Sequence, residues 1–214
     1  MRIKQLIDNK FDTYILGLLI MAAGSDLFLT AALGVMPSCT LALLLTGIFP
    51  HMPGGYAAFS FLVNFGFLIG EVCVEQKPEK RYIVQFVLII LYSLFIHLIS
   101  IPLQGINVVG MGERLVFSIL ACVILAVGIS FTVSSGLAVL PVEGFVLSIA
   151  QKSGRLFGTV RVYVEVLTTI LSALLSLIFL HNLSVIGIGT LIAAVCTGNI
   201  TNWFTCNVLQ KKTV

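Results

Sequence analysis

Residues Ser134 to Glu165 read SSGLAVLPVEGFVLSIAQKSGRLFGTVRVYVE, and the fold turns on how this stretch is interpreted. An apolar helix is interrupted at Gly136 and Pro141, because Pro cannot continue a helical ladder and biases the residue before it away from helix. Val142 to Ala150 is then a second apolar piece, too short to span a bilayer, and Lys152 to Arg155 form a polar turn. The next helix carries Arg161 and Glu165 within a sequence that is otherwise almost all hydrocarbon. Ionisable groups are costly inside a membrane segment, so such positions mark function by default.

The rest of the chain sets that reading in context. Of 214 residues, 58% are hydrophobic and 10% charged, against about 25% charged in a soluble domain. Mean hydropathy is +1.11. Several runs exceed the roughly 18 apolar residues that imply a spanning helix, and a lipid-facing chain must satisfy its backbone internally. The expected fold is therefore all-α: a polytopic transmembrane helical bundle forming one domain over residues 1–214. The net charge of +3 reflects basic loops at the membrane surface and gives no reason to invoke nucleic acid. Cys39, Cys73, Cys122, Cys196 and Cys206 are scattered, with no C-x-x-C and no His at metal spacing, and read as small apolar packers. No metal or cofactor is expected. Arg2, Lys4 and Lys10 precede a long apolar run with no clear cleavage site, which reads as an uncleaved first helix.

In chain order the spacing predicts spans at about 13–33, 55–75, 82–100, 114–134, 157–180 and 184–207. Two breaks interrupt them, at Gly34 and Pro37 and at Gly136 and Pro141. Each is followed by a short re-entrant or interfacial piece, Ser38–Phe49 and Val142–Ala150. Pro50, Pro53, Gly54 and Gly55 form one turn, and a loop with Pro102, Gly105, Gly110 and Gly112 separates the halves. Gly66-x-x-x-Gly70 offers a close helix contact and allows a homodimer without demanding one. With the N-terminus inside, Arg2, Lys4, Lys10, Lys77, Lys80, Arg81, Lys152, Arg155, Lys211 and Lys212 fall on the cytoplasmic side and Arg114 alone outside. That asymmetry predicts six spans with both termini cytoplasmic.

Sliding the sequence against itself so that Gly24 falls on Gly128 also aligns Leu33–Pro37 with Leu137–Pro141, and Gly54 with Gly158. Thr30 falls on Ser134 and Phe59 on Tyr163. Both halves, about 13–100 and 114–207, read as span, break, short piece, turn, span, span. Three spans is an odd number, so the second copy enters from the opposite side as a 3+3 inverted repeat. Inverted repeats with interrupted helices at matching positions are the pattern of secondary transporters.

Four ionisable residues stand out as substrate- or ion-binding candidates: Glu143, Arg161, Glu165 and Asp26. Glu143 follows Pro141 in the first turn of the short helix, where the helix dipole also favours a carboxylate. Arg161 and Glu165 lie one turn apart, about 6 Å along the axis on one face. Arg before Glu is the less favourable order for a lone helix, so the pair is either an ion pair joining helices or part of a gated site. Their repeat counterparts are Cys39, Ala57 and Phe61, which makes any site asymmetric. Asp26, opposite Ser130 in the repeat, is a proton relay or a solvated vestibule residue. Asn64, opposite Thr168, together with Gln85, Asn199, Thr201 and Asn202, reads as interhelical hydrogen bonding. Tyr82 and Trp203 read as interface anchors, and His51, His97 and His181 as outer-surface residues. No Walker loop, nucleophile elbow or H-E-x-x-H is present, and no enzyme is expected.

Pro141-Val142-Glu143-Gly144-Phe145, Ser153-Gly154, Val160-Arg161 with Glu165, and Gly187-Ile188-Gly189-Thr190 resemble the second half of the YczE-type integral membrane proteins of bacteria, relatives of the YitT group. The pattern there is Pro-x-Asp-Gly, a Thr-Gly or Ser-Gly turn, Arg followed four residues on by Glu, and Gly-x-Gly-Thr opening the last helix. The resemblance covers nearly the whole chain. This sequence departs from it in having Glu143 for Asp, and Pro37-Ser38-Cys39 where Pro-Trp-Asp is usual. The resemblance implies a protein of the bacterial cytoplasmic membrane.

The expectation is thus a transporter-like protein that moves a small solute or ion through a site at the repeat interface, with the lipid bilayer as its surroundings. The alternatives are a non-transporting membrane partner of another complex and the substrate-binding subunit of a vitamin importer.

Overall fold

Proline and left-handed glycine divide this chain into long and short helices. The structure is a computed structural model. It describes residues 10–53, 55–77, 80–103, 108–137, 139–183 and 186–209, the side chains of residues 55–57, 93, 97 and 100 excepted. Arg2, Lys4, Gly54, Gly105, Lys211, Lys212 and the side chains of Ala57 and His97 lie outside these residues. The described residues form eight helices and no strand: α1 (Lys10–Ala31), α2 (Pro37–Ile48), α3 (Gly55–Glu75), α4 (Arg81–Leu103), α5 (Met111–Ser135), α6 (Pro141–Ser153), α7 (Phe157–Phe179) and α8 (Ile188–Asn207). Pro37 and Pro141 each open a short helix, where a missing N–H costs nothing. Just upstream, Gly34 (φ 111°) and Gly136 (φ 69°) hold backbone conformations that other residues resist.

Five helices, α1, α3, α4, α5 and α7, are long and apolar enough to cross a membrane. The sixth expected span, α8, is a 20-residue helix and is not among them. Its second half carries Asn199, Thr201 and Asn202, which lower its hydropathy. Much of that polarity turns inward. Thr197 and Thr201 are buried, and Asn202 accepts the Gly158 N–H at 2.8 Å.

The centre of the bundle is the pair α1 and α5. About half of each spanning window is buried (50% and 56%), against 7% for α4, whose side chains mostly face outward. The two helices cross backbone to backbone. A Cβ on Gly24 would lie 2.8 Å from the Leu125 nitrogen, one on Gly128 2.6 Å from the Met21 nitrogen, and one on Gly17 2.9 Å from the Thr132 nitrogen. Position numbers fall along α5 as they rise along α1, so the pair is antiparallel. Without a solvent-driven force between helices in lipid, such small-residue approaches gain their stability from van der Waals contact.

Around this pair α8 packs on both α5 and α7, and α4 packs on α1. The short helix α2 lies between α3 and α7, and so does the short helix α6. Gly158 and Gly198 let α7 and α8 touch, since a Cβ on either would collide with the other's carbonyl. The glycines that open α8 have an equally local cause. The Gly189 N–H donates to the Leu33 carbonyl at 2.9 Å, and a Cβ on Gly187 would overlap that same carbonyl. The first break thereby supplies an acceptor to the otherwise orphaned N-terminus of α8. Gly66-x-x-x-Gly70 behaves differently from its sequence reading: Gly70 meets the Phe145 ring, whereas Gly66 has nothing within 4 Å.

At the central seam, Gly128→Ala should cost about 1–3 kcal/mol, because backbone must move to admit the methyl group. Gly66→Ala should leave the thermal midpoint unchanged. Melting curves of the two variants in detergent micelles test the difference.

Candidate functional site

Pro141 fixes the start of α6, so Glu143 sits in its first turn, beside the unpaired N–H groups that favour a negative charge. The start of α7 sets Arg161 and Glu165 on one face, about 6 and about 12 Å along the axis. The fold brings the three together. Arg161 Nη1 donates to Glu143 Oε1 at 3.0 Å, and Arg161 Nη2 lies 2.9 Å from Glu165 Oε1. All three are buried, Arg161 at 0% exposure. The second contact is close but misaligned. Among the described residues neither oxygen of Glu165 has a hydrogen-bond partner, and neither do Nε and Nη2 of Arg161.

Arg161 and Glu165 begin a longer polar face on α7. Thr168, Thr169, Ser172 and Ser176 continue it at helical spacing, and all are buried. The Thr168 and Thr169 hydroxyls donate to the Glu165 carbonyl at 3.0 and 2.7 Å. Higher on α7, the Ser172 hydroxyl lies 3.0 Å from that of Thr40, in the first turn of α2. From there α2 runs alongside α7, with Gly47 reaching Leu180. The helix α6 departs from Arg161 the other way. Its Phe145 packs on Gly70 and its Ser148 donates to Glu75 at 2.6 Å, while Lys152 donates to the Val74 carbonyl. The N-termini of the two short helices thus face the same section of α7, the stretch of about 16 Å from Arg161 to Ser172. Each presents the positive end of its dipole to that section.

Sequence reasoning missed a second cluster. Glu71, only 1% exposed, accepts a hydrogen bond from Gln85 at 2.9 Å and pairs with Arg81 at 3.2 Å. Arg81 also pairs with Glu75 at 2.6 Å. Gly144 is small because Glu71 occupies the space a Cβ would need. Glu71 of α3 therefore brings a carboxylate against the first turns of α6. The signal was available: Glu71 is an ionisable residue in the apolar run of α3, as Arg161 is in that of α7.

Asp26 stands apart from the three. It is buried on α1, with Oδ2 unpartnered among the described residues. The next residue, Ser25, lies 2.7 Å from the Tyr92 hydroxyl, and Tyr92 is within electrostatic reach of Glu143 and Arg161. The four break positions, Gly34, Pro37, Gly136 and Pro141, lie at the entrances to α2 and α6. Of the polar residues read as interhelical, Gln85 and Asn202 do bond across helices. Asn64 and Asn199 instead donate to carbonyls of their own helices, at Ser60 and Val195, because each is one turn from an acceptor that needs no partner helix. Thr201 bonds to its own Thr197 and reaches the Ala126 carbonyl of α5 at 3.5 Å. Trp203 is exposed, and the Tyr82 hydroxyl bonds the Lys77 carbonyl. His51 and His181 are exposed. Cys122 is buried in the core, Cys39 and Cys196 are half-buried, and Cys73 and Cys206 face outward rather than packing inside. No cysteine is in a disulfide.

A family model covers residues 9–206 of this chain. The chain belongs to a family of unknown function, DUF6198. No curated protein and no solved structure matches it.

Removing Arg161 alone strands two carboxylates in the bundle. Arg161→Met should destabilise by about 3–5 kcal/mol. A triple neutral variant, Glu143→Gln with Arg161→Met and Glu165→Gln, should recover most of that loss, since no buried charge remains. Unfolding of both variants in mixed micelles measures the difference.

Proposed function

We propose that this protein is a carrier of the bacterial cytoplasmic membrane, moving a small solute or ion past Glu143, Arg161 and Glu165. The observation that carries the reading is the pair of short helices whose N-termini face one buried polar section of α7. Interrupted helices that present dipole ends and freed backbone to a central site are the membrane form of a helix-terminus ion site.

The contacts support six spans arranged as two inverted halves. Gly24 meets Leu125, and its repeat counterpart Gly128 meets Met21, the counterpart of Leu125. Such exchanged contacts are expected when a two-fold axis relates two copies, and the antiparallel packing of α1 and α5 is consistent with an axis lying across the helices. The same exchange puts α2 beside α7 and α6 beside α3. The inward-turned polar groups of α8 support it as the sixth span. Arg81 bridging to Glu75, and Lys152 reaching Val74, gather the basic turns at one end, which supports that end as the cytoplasmic face. The resemblance to YczE-type proteins supports the bacterial membrane. The halves differ in one respect: α7 packs closely on α8, whereas α3 touches α4 only sparsely. An inverted-repeat carrier whose halves exchange conformations carries such an asymmetry in any one state.

A thermal-stability screen of the purified protein against ions and small metabolites tests the reading. A ligand present at 100 times its Kd should stabilise the native state by about 2.7 kcal/mol. Glu143→Gln should abolish the shift. Flux of the same compound into proteoliposomes should follow. If neither shift nor flux is found and the neutral variants lose only stability, the three residues are a lock between helices and the protein is a membrane partner.

A further inference from the structure

The deep cluster is unbalanced. Two carboxylates, Glu143 and Glu165, share one guanidinium, Arg161, and all three are almost fully buried. The cluster at Glu71 is different in kind: Glu71 and Glu75 meet Arg81, and Lys152 sits one turn from Ser148, which bonds Glu75. A buried charge without compensation is neutralised rather than tolerated. Two carboxylates at one site do not both stay ionised when a shared proton removes the excess.

We propose that the cluster binds one proton and that this proton resides on Glu165. Glu143 already has a charge-assisted hydrogen bond from Arg161 and stands in the first turn of α6, where helix N–H groups favour its negative form. Glu165 has neither advantage. Among the described residues its two oxygens accept no well-aligned hydrogen bond, and Arg161, the close cation, meets it out of line. Among the described residues the groups around it offer no second positive charge. On α5 Cys122 is within electrostatic reach of Glu165, and on α8 Cys196 neighbours Cys122. Tyr92 of α4 reaches Glu143 and Arg161, Tyr14 of α1 reaches Glu143, and Cys39 of α2 lies beside Tyr92. Every one of these is neutral or would add negative charge. A proton also needs no cavity, which suits a cluster with almost no exposed surface. As the coupling ion of transport, this proton rests on the carrier reading; its binding does not.

Infrared spectroscopy of the full chain in nanodiscs tests the assignment without any substrate. An Asp26→Asn background removes the other buried, unpartnered carboxyl. At neutral pH this protein should show the C=O stretch of a protonated carboxylic acid, shifted in D2O. Glu165→Gln should abolish the band. Glu165→Asp should keep it at a changed frequency, and Glu143→Asp should keep it unmoved. Arg161→Gln should enlarge it, because a second proton then replaces the lost cation. A band that survives Glu165→Gln, moves with Glu143→Asp instead, or is missing from the parent at neutral pH overturns the proposal. If the Gln variant fails to fold, the two Asp variants, which keep the charge count, decide alone. A band without any solute flux would uphold the proton site and overturn the carrier. Flux that ignores a pH gradient, with no band, would do the reverse.

Discussion

A guanidinium held between two carboxylates, away from water and at the junction of two helices, is the constraint on which the rest of this structure depends. Arg161 cannot be deprotonated, and in hydrocarbon it cannot be left alone. Its partners must come from sequence positions that local helix geometry does not all supply. Glu165 is one turn away, but Glu143 reaches it only because Pro141 starts a new helix at the right depth. The break in the chain and the charge in the span are two parts of one arrangement.

That arrangement needs a rigid frame, which small residues provide. The antiparallel contact of α1 with α5 through Gly17, Gly24 and Gly128 brings backbones together where any Cβ would intrude. Gly158 and Gly198 do the same for α7 and α8, so the helix that carries Arg161 is held close against α8. The Leu33 carbonyl caps α8 and ties the first break into the second half. Polar groups are turned toward neighbouring helices, and the outer faces are left to apolar side chains such as Ile83, Ile90, Leu167 and Ile178. The bundle has a closely packed centre and a peripheral α4, tied to it by packing on α1 and by the polar contacts of Arg81, Gln85 and Tyr92.

Charge distinguishes the two short helices and the long helices packed against them. Where α6 presents Glu143, α2 presents Cys39. Where α7 carries Arg161 and Glu165, α3 carries Ala57 and Phe61. Glu71 partly restores the balance from another turn of α3, and it does so against Gly144, the residue next to Glu143. The two clusters therefore flank one short helix, the buried one holding two carboxyl groups to one guanidinium and the other reaching the basic end of the bundle.

The helix boundaries were legible in the sequence because they follow from local physics: apolar run length, Pro at the first helical position and Gly at positive φ. The Arg161–Glu165 pair was equally legible, since four residues on one helix have a known spacing. Glu71 could have been read by the same rule. What no local rule supplies is which helices meet. That Glu143 closes on Arg161, that Gly24 lies on Leu125, that Leu33 caps α8, and that Gly66 faces nothing are outcomes of three-dimensional packing between residues far apart in the chain. The polar half of α8 shows the same division. Composition alone marks it as a weak span, and only the tertiary structure reveals that Thr197 and Thr201 are buried and that half-buried Asn202 bonds Gly158 of α7. By itself the sequence determined the helices, their breaks and the residues that carry charge, because each depends on neighbours within a turn or two. The tertiary structure decided which charges share a site, because that depends on the contacts between helices.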